Sequence, residues 1–184
     1  MENQESRVDV LPTLIRRAEL SDGLTRINPE YVKPGIQNIC EHITEFGSGV
    51  IFLYGLKKGK SSNAAALLLS YLNTRRYIMK TDNVGLWISV HQMCYQNRTV
   101  DRYNRDYELQ DMIRRATKAD FLVLDGMFPY ITQNDDLLLQ AIYDARQHAT
   151  GITVVTTSVI NPLDCAGSIM YRLARDAKYK EEFK

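Results

Sequence analysis

Hydrophobic and polar positions along the chain alternate between two periods. Val50-Ile51-Phe52-Leu53-Tyr54 is a continuous apolar run, as expected of a strand buried on both faces of a parallel sheet. Phe121-Leu122-Val123-Leu124-Asp125 and Ile152 to Thr156 have the same character, and Tyr77 to Met79 is a shorter candidate strand. Between them the period lengthens. Glu30 to Phe46 places Ile36, Ile39, Ile43 and Phe46 on one helical face, and Ser62 to Arg75 does so with Ala64, Leu67, Leu68 and Leu72 behind a serine cap. Further helices are predicted over Val84 to Tyr95, which holds the single tryptophan Trp87, over Tyr107 to Thr117, Asp135 to His148 and Pro162 to Lys178, with a polar loop from Arg98 to Arg105. Strands alternating with helices imply a mostly parallel central sheet flanked by helices, an α/β three-layer fold. Residues 1–30 are polar, with a short amphipathic piece at Leu11 to Leu20, and read as an N-terminal arm before a core domain of residues 31–184.

Composition narrows the class without choosing a function. A chain of 184 residues with 45% hydrophobic and 24% charged residues is long enough for one globular core. Its 23 basic and 22 acidic residues nearly cancel, so nucleic-acid contact requires a local patch. Cys40, Cys94 and Cys165 are odd in number and far apart, which fits a reducing, cytoplasmic setting. The first 30 residues have no apolar core of signal-peptide type, and no stretch approaches the roughly 18 apolar residues of a spanning helix. Asn97-Arg98-Thr99 is read as a chance glycosylation match.

The chemistry concentrates at "GLKKGKSS", Gly55 to Ser62, which lies between a buried strand and a helix, as a phosphate-binding loop does. Free N–H groups and the positive dipole end of the helix suit phosphate. Gly55, Lys58, Gly59, Lys60, Ser61 and Ser62 are the candidate cofactor-binding residues, with Lys60 reaching terminal phosphates and Ser61 or Ser62 holding a metal. An ordinary strand-to-helix turn with solvated lysines is the alternative. Only Leu56, Lys57 and Lys58 separate the two glycines, where the motif has four residues. One missing residue removes about 3.3–3.6 Å of chain, more than hydrogen-bond geometry absorbs. Asp125, ending its strand, is the candidate Mg²⁺ ligand together with Ser61. Thr156, Thr157 and Ser158 end the next strand, where a polar side chain can orient an attacking water; Thr157 is the one selected.

Between Gln96 and Arg115, Arg98, Arg102, Arg105, Arg114 and Arg115 interleave with Tyr95, Tyr103 and Tyr107, a pairing of charge and aromatic faces that suits single-stranded DNA. Arg98, Arg102, Tyr103 and Arg105 are the candidates, although Asp101, Asp106, Glu108 and Asp111 nearly neutralise the stretch. His91 and Cys94 lack a second pair for a metal, and the Leu137–Tyr143 stripe reads as core.

"GVIFLYG…GKSSNAAALLLSYL", "ADFLVLDG", "GITVVTTS" and "SIMYRLARD" together resemble, in order and spacing, the AAA+ core of DnaC/DnaI-type helicase loaders and their IstB-type relatives, over about Ile36 to Asp176. The resemblance implies a P-loop ATPase fold and ATP or ADP with Mg²⁺ as cofactor. It also implies a bacterial or phage replication accessory factor that docks on a replicative DNA helicase and delivers it to single-stranded DNA. An arginine of the last helix, Arg172 or Arg175, would complete a neighbouring subunit's site in a homo- or hetero-oligomer; a solvated helix face is the alternative. Departures point to weak or absent hydrolysis. Gly126 stands where the resemblance calls for the acid that polarises water, and only 12 residues follow Arg172, so the helical lid is missing or vestigial. A working small ATPase or nucleotide kinase, and a structural pseudo-ATPase subunit, remain the alternatives.

Overall fold

A computed structural model describes residues 8–99, 107–128, 132–147, 151–165 and 168–184. Three helices, α1 (Leu11–Arg17), α2 (Pro34–Glu41) and α3 (Ile43–Phe46), precede the first strand, β1 (Gly49–Tyr54). Then follow α4 (Lys60–Thr74), β2 (Gly85–Ser89), α5 (Val90–Thr99), α6 (Tyr107–Lys118) and β3 (Phe121–Met127). The chain continues through α7 (Gln133–Gln147), β4 (Ile152–Thr157), α8 (Ile169–Asp176) and β5 (Ala177–Glu182). The five strands form one sheet in the order β2-β3-β4-β1-β5, with every neighbouring pair parallel. The expected parallel α/β sheet is therefore observed.

Side-chain alternation along the strands divides the core into two layers. Ile51, Leu53, Phe121, Val123, Ile152 and Val154 face one side, where they pack with Leu14 of α1, Ile36 and Ile39 of α2, Ile43 of α3, and Leu67, Leu68 and Leu72 of α4. Val50, Phe52, Leu122, Leu124 and Val155 face the other, against Met93 of α5, Leu109 of α6, Leu139 and Ile142 of α7, and Leu173 of α8. The amphipathic piece expected at Leu11 to Leu20 thus lies on the sheet, with Leu14, Ala18 and Leu20 all buried.

Four local expectations are corrected. The helix predicted over Glu30 to Phe46 breaks at His42 into α2 and α3. The Tyr77–Met79 strand is not formed; Tyr77 and Met79 are exposed, and the strand is β2, where a helix was expected from Val84. Val84 to Val90 is a short apolar run that periodicity alone cannot assign. Pairing with β3 decides it, and the Trp87 N–H donates to Ala18 O on the opposite edge at 2.8 Å. The long helix predicted over Pro162 to Lys178 is a 3₁₀ turn at Pro162–Asp164, then α8, then the edge strand β5. Finally α4 begins at Lys60 with Gly59 as its left-handed cap residue (φ 107°), and no serine side chain caps it.

A buried cation stitches the second layer. Arg146 of α7 is 5% exposed; its guanidinium donates to Ala116 O and Ala119 O at 2.8 and 2.5 Å, to Ile152 O at 3.0 Å and to Thr153 Oγ1 at 3.0 Å. Burial pushes its pKa down to about 10, so it stays protonated at neutral pH. The fork closes the C-terminal end of α6 onto the start of β4. Arg146→Met strands these acceptors in the core, and we expect a loss of about 3 kcal/mol or more of unfolding free energy in urea titrations.

Candidate functional site

Parallel strands deliver their C-terminal ends to one edge, and β1, β4 and β3 are neighbours there. The loop after β1 turns twice through left-handed glycines, Gly55 (φ 109°) and Gly59 (φ 107°). A Cβ on Gly55 would sit 2.5 Å from Phe183 O, so glycine is required by contact as well as by φ. Within this turn the Lys60 ammonium donates to Gly55 O at 2.8 Å and Lys57 O at 2.6 Å. Burial lowers the Lys60 pKa, and the Asp125 charge partly offsets that. The shortened loop therefore folds onto its own carbonyls.

Beyond the loop, Ser61 Oγ donates to Asp125 Oδ1 at 2.7 Å, and Thr156 Oγ1 donates to the same oxygen at 2.6 Å. The Gly126 N–H in turn donates to Thr156 Oγ1 at 2.8 Å. Ser61 and Asp125, singled out as metal ligands, are thus brought together, with Thr156 from the intervening strand joining them. Thr157 is not. Adjacent strand residues face opposite sides, and the buried Thr157 hydroxyl donates to Met127 O at 2.7 Å, away from Asp125. One carboxylate beside one hydroxyl is a hard-oxygen set that fits Mg²⁺ completing its shell with water and phosphate.

Gly126, next to Asp125, has a left-handed backbone. Its φ is +77°, and the β3–β4 register shifts between Leu124 and Met127. Open space lies where a Cβ would be, yet the backbone disfavours any side chain there.

On the other side of the loop a cavity of about 670 Å³ is lined by Lys57, Lys58, Gly59 and Ser62, by Arg26 and Tyr31 of the segment before α2, and by Phe183 near the other end of the chain. Ser62 thus faces this cavity and Ser61 faces Asp125. Asn63, fully buried, ties the pieces: its amide donates to Gly59 O at 2.8 Å and Tyr31 O at 3.1 Å, and its oxygen accepts from Lys33 N at 2.9 Å. Arg26, Tyr31, Lys33 and Phe183 are distant in sequence and carry no motif. Asn63 had a signal, a lone amide opening the apolar face "AAALLL".

The remaining arginines have other engagements. Arg98 Nε and Nη2 both donate to Asp135 Oδ2, at 2.8 and 2.5 Å, while Asn97 Nδ2 donates to Asp135 Oδ1 at 2.9 Å. Asp135 is fully buried and also accepts from Thr132 Oγ1 at 2.7 Å, so Arg98 anchors α5 to the start of α7. Arg102, Tyr103 and Arg105 lie outside the described residues. Arg172 pairs with Asp144 at 2.6 Å over the Tyr143 ring, and Arg175 pairs with Asp176 at 2.7 Å. The His91 ring packs on Phe128, and burial pushes the Cys94 thiol up to about 11; no cluster of three metal-ligating side chains occurs among the described residues.

The strand order, the loop between β1 and α4 and the Asp125 strand end define an α/β fold of the AAA+ P-loop type. It is the fold of the DnaC/DnaI-type helicase loaders. A crystal structure of DnaI superposes with a TM-score of 0.69 over 90% of this chain and 95% of that one, at 15% identity. The DnaC helicase loader gives 0.60 over 82% and 86%, also at 15% identity. AMPPCP-bound DnaA from Aquifex aeolicus gives 0.56 over 86% of this chain and 51% of its own, at 14% identity. No protein-family model and no curated protein sequence matches the chain. No helix among the described residues is long and apolar enough to cross a membrane.

Two measurements follow from the local geometry. Thr156→Val removes one of the two hydroxyls that donate to Asp125 and leaves the Gly126 N–H without its acceptor, and we expect a loss of about 1–3 kcal/mol in urea titrations, against a change within about 0.5 kcal/mol for the exposed Ser158→Ala. Burial raises the Asp135 pKa, but its bonds from Asn97, Thr132 and Arg98 outweigh this and leave it lowered. A depressed folded pKa gives stability that is present above the unfolded value and lost as pH falls through the folded one. Unfolding titrations below the ordinary aspartate value of 3.8 should therefore be flatter in Asp135→Asn than in the unaltered protein.

Proposed function

We propose that this protein is a DNA-replication accessory factor of helicase-loader type whose β1–α4 loop binds a nucleotide polyphosphate and turns it over slowly or not at all. The observation that carries the reading is the hydrogen bond joining Ser61 to Asp125 beside Lys60 on a loader fold. Phosphate at the start of α4 would meet the helix's uncapped N–H groups and draw the Lys60 ammonium from Gly55 O and Lys57 O. Mg²⁺, when bound, would neutralise phosphate charge; Ser61 and Asp125 are the groups placed to hold it. Thr156 fixes the Asp125 carboxylate. No acid follows Asp125, and Gly126 has a backbone poorly suited to one, so general-base help worth roughly 10²–10⁴-fold is lacking.

In this reading residues 1–30 are an arm that helps close the cavity through Arg26, and residues 31–184 are the core. The partner is a replicative DNA helicase or another replication protein. Among the solved structures with this fold is a replication initiator, DnaA, bound to AMPPCP and single-stranded DNA. Contact of the present chain with single-stranded DNA is assigned to Arg102, Tyr103 and Arg105, because Arg98 is committed to Asp135. Arg172 serves a neighbouring subunit's site only after leaving Asp144.

Calorimetric titration with ATP and Mg²⁺ tests the site. We expect saturable binding that weakens at least about tenfold in Lys60→Ala, since a charged hydrogen-bond donor is worth about 1.5–3 kcal/mol, and little phosphate release. Absence of any nucleotide binding, or brisk turnover, would sink the reading. Co-purification with the cognate replicative helicase tests the partner.

A further inference from the structure

The end of β5 reaches over the loop. Phe183 N–H donates to Tyr54 O at 2.7 Å, and Phe183 O accepts from Lys57 N–H at 3.0 Å. Phe183 is 4% exposed, with the Lys33 and Lys60 ammonium groups 4.6 and 5.8 Å from its ring centroid. Lys33 ties the same segment down, donating to Glu181 Oε1 at 3.0 Å and Glu182 O at 2.6 Å. With Lys60 on Gly55 O and Lys57 O, two donors that a phosphate would need are held by protein carbonyls. A backbone N–H directed at Phe183 O cannot also serve an anion.

We propose that Glu181–Phe183 is a latch that holds the phosphate loop closed and competes with polyphosphate for the Lys57 N–H. This rests on the reading of the loop as a polyphosphate site and adds its regulation. Release frays only the end of β5, an edge strand bonded to β1 alone, where Glu181 and Glu182 pair with Leu53 and Tyr54, and leaves the pairing of the other four strands intact. A polyphosphate oxygen is a stronger, charged acceptor than the Phe183 carbonyl. Until the latch opens, apparent affinity is reduced by the fraction of molecules that are open.

The test uses the full chain, MgATP and magnesium tripolyphosphate as probes, and hydrogen exchange of the Lys57 amide as a ligand-free readout. Phe183→Ala removes the buried ring that seats the latch, and Phe183→Leu keeps most of it and protects the test against a folding failure. Neither changes the charge of the site. We expect slow Lys57 exchange in the unaltered protein, faster exchange in the order Leu then Ala, and polyphosphate affinity rising in the same order by roughly three- to tenfold, the range of one net hydrogen bond. Faster exchange with unchanged affinity overturns the latch and leaves the anion site standing. No polyphosphate binding in any of the three proteins overturns the anion site itself, and the latch with it.

Discussion

Parallel pairing is the constraint from which the rest follows. A strand added in the same direction as its neighbour forces the chain to cross a face of the sheet before pairing again, so both faces must be covered and both must be apolar. In this chain Phe52, Leu53, Phe121, Leu122 and Val154 have essentially no exposure, and the helices divide between the two faces. The same rule gathers the strand ends at one edge. Ser61, Asp125 and Thr156, spread over nearly a hundred residues, meet there because β4 lies between β1 and β3.

At both ends of the sheet buried polar groups set positions that apolar packing would leave loose. Asn63 binds three backbone groups at once and joins the segment before α2 to the loop. Asp135 gathers Asn97, Arg98 and Thr132, and Arg146 gathers carbonyls from α6 and β4. Each is costly to bury alone and favourable only when its bonds are complete, so each demands one arrangement of the elements it touches.

The loop itself shows how spacing sets the shape of a turn. With three residues between its glycines the turn closes on itself, and Lys60 finds its acceptors in the loop's own carbonyls. The bulge at Gly126 alters the facing strand end in the same region. Both features act on geometry, and beside them stand the Ser61 hydroxyl, the Asp125 carboxylate and the Lys60 ammonium.

Local pattern settled a good part of this in advance. The apolar runs at Val50, Phe121 and Ile152 read as buried strands and are, the helices at Tyr107 and Asp135 followed from period and polarity, and the loop was recognisable from its place between a strand and a helix. These are properties of a few consecutive residues. Tertiary structure decided the others. Gly85–Ser89 became a strand because β3 offered its edge, and Ala177–Glu182, alternating and charged, became one because β1 did. Thr156 and not Thr157 reached Asp125 because register chose the face, and Arg98 bonds to Asp135 because that carboxylate is buried beside it. In each case the deciding partner lies tens of residues away, and the free energy that selects the conformation comes from that contact, which a local window does not contain.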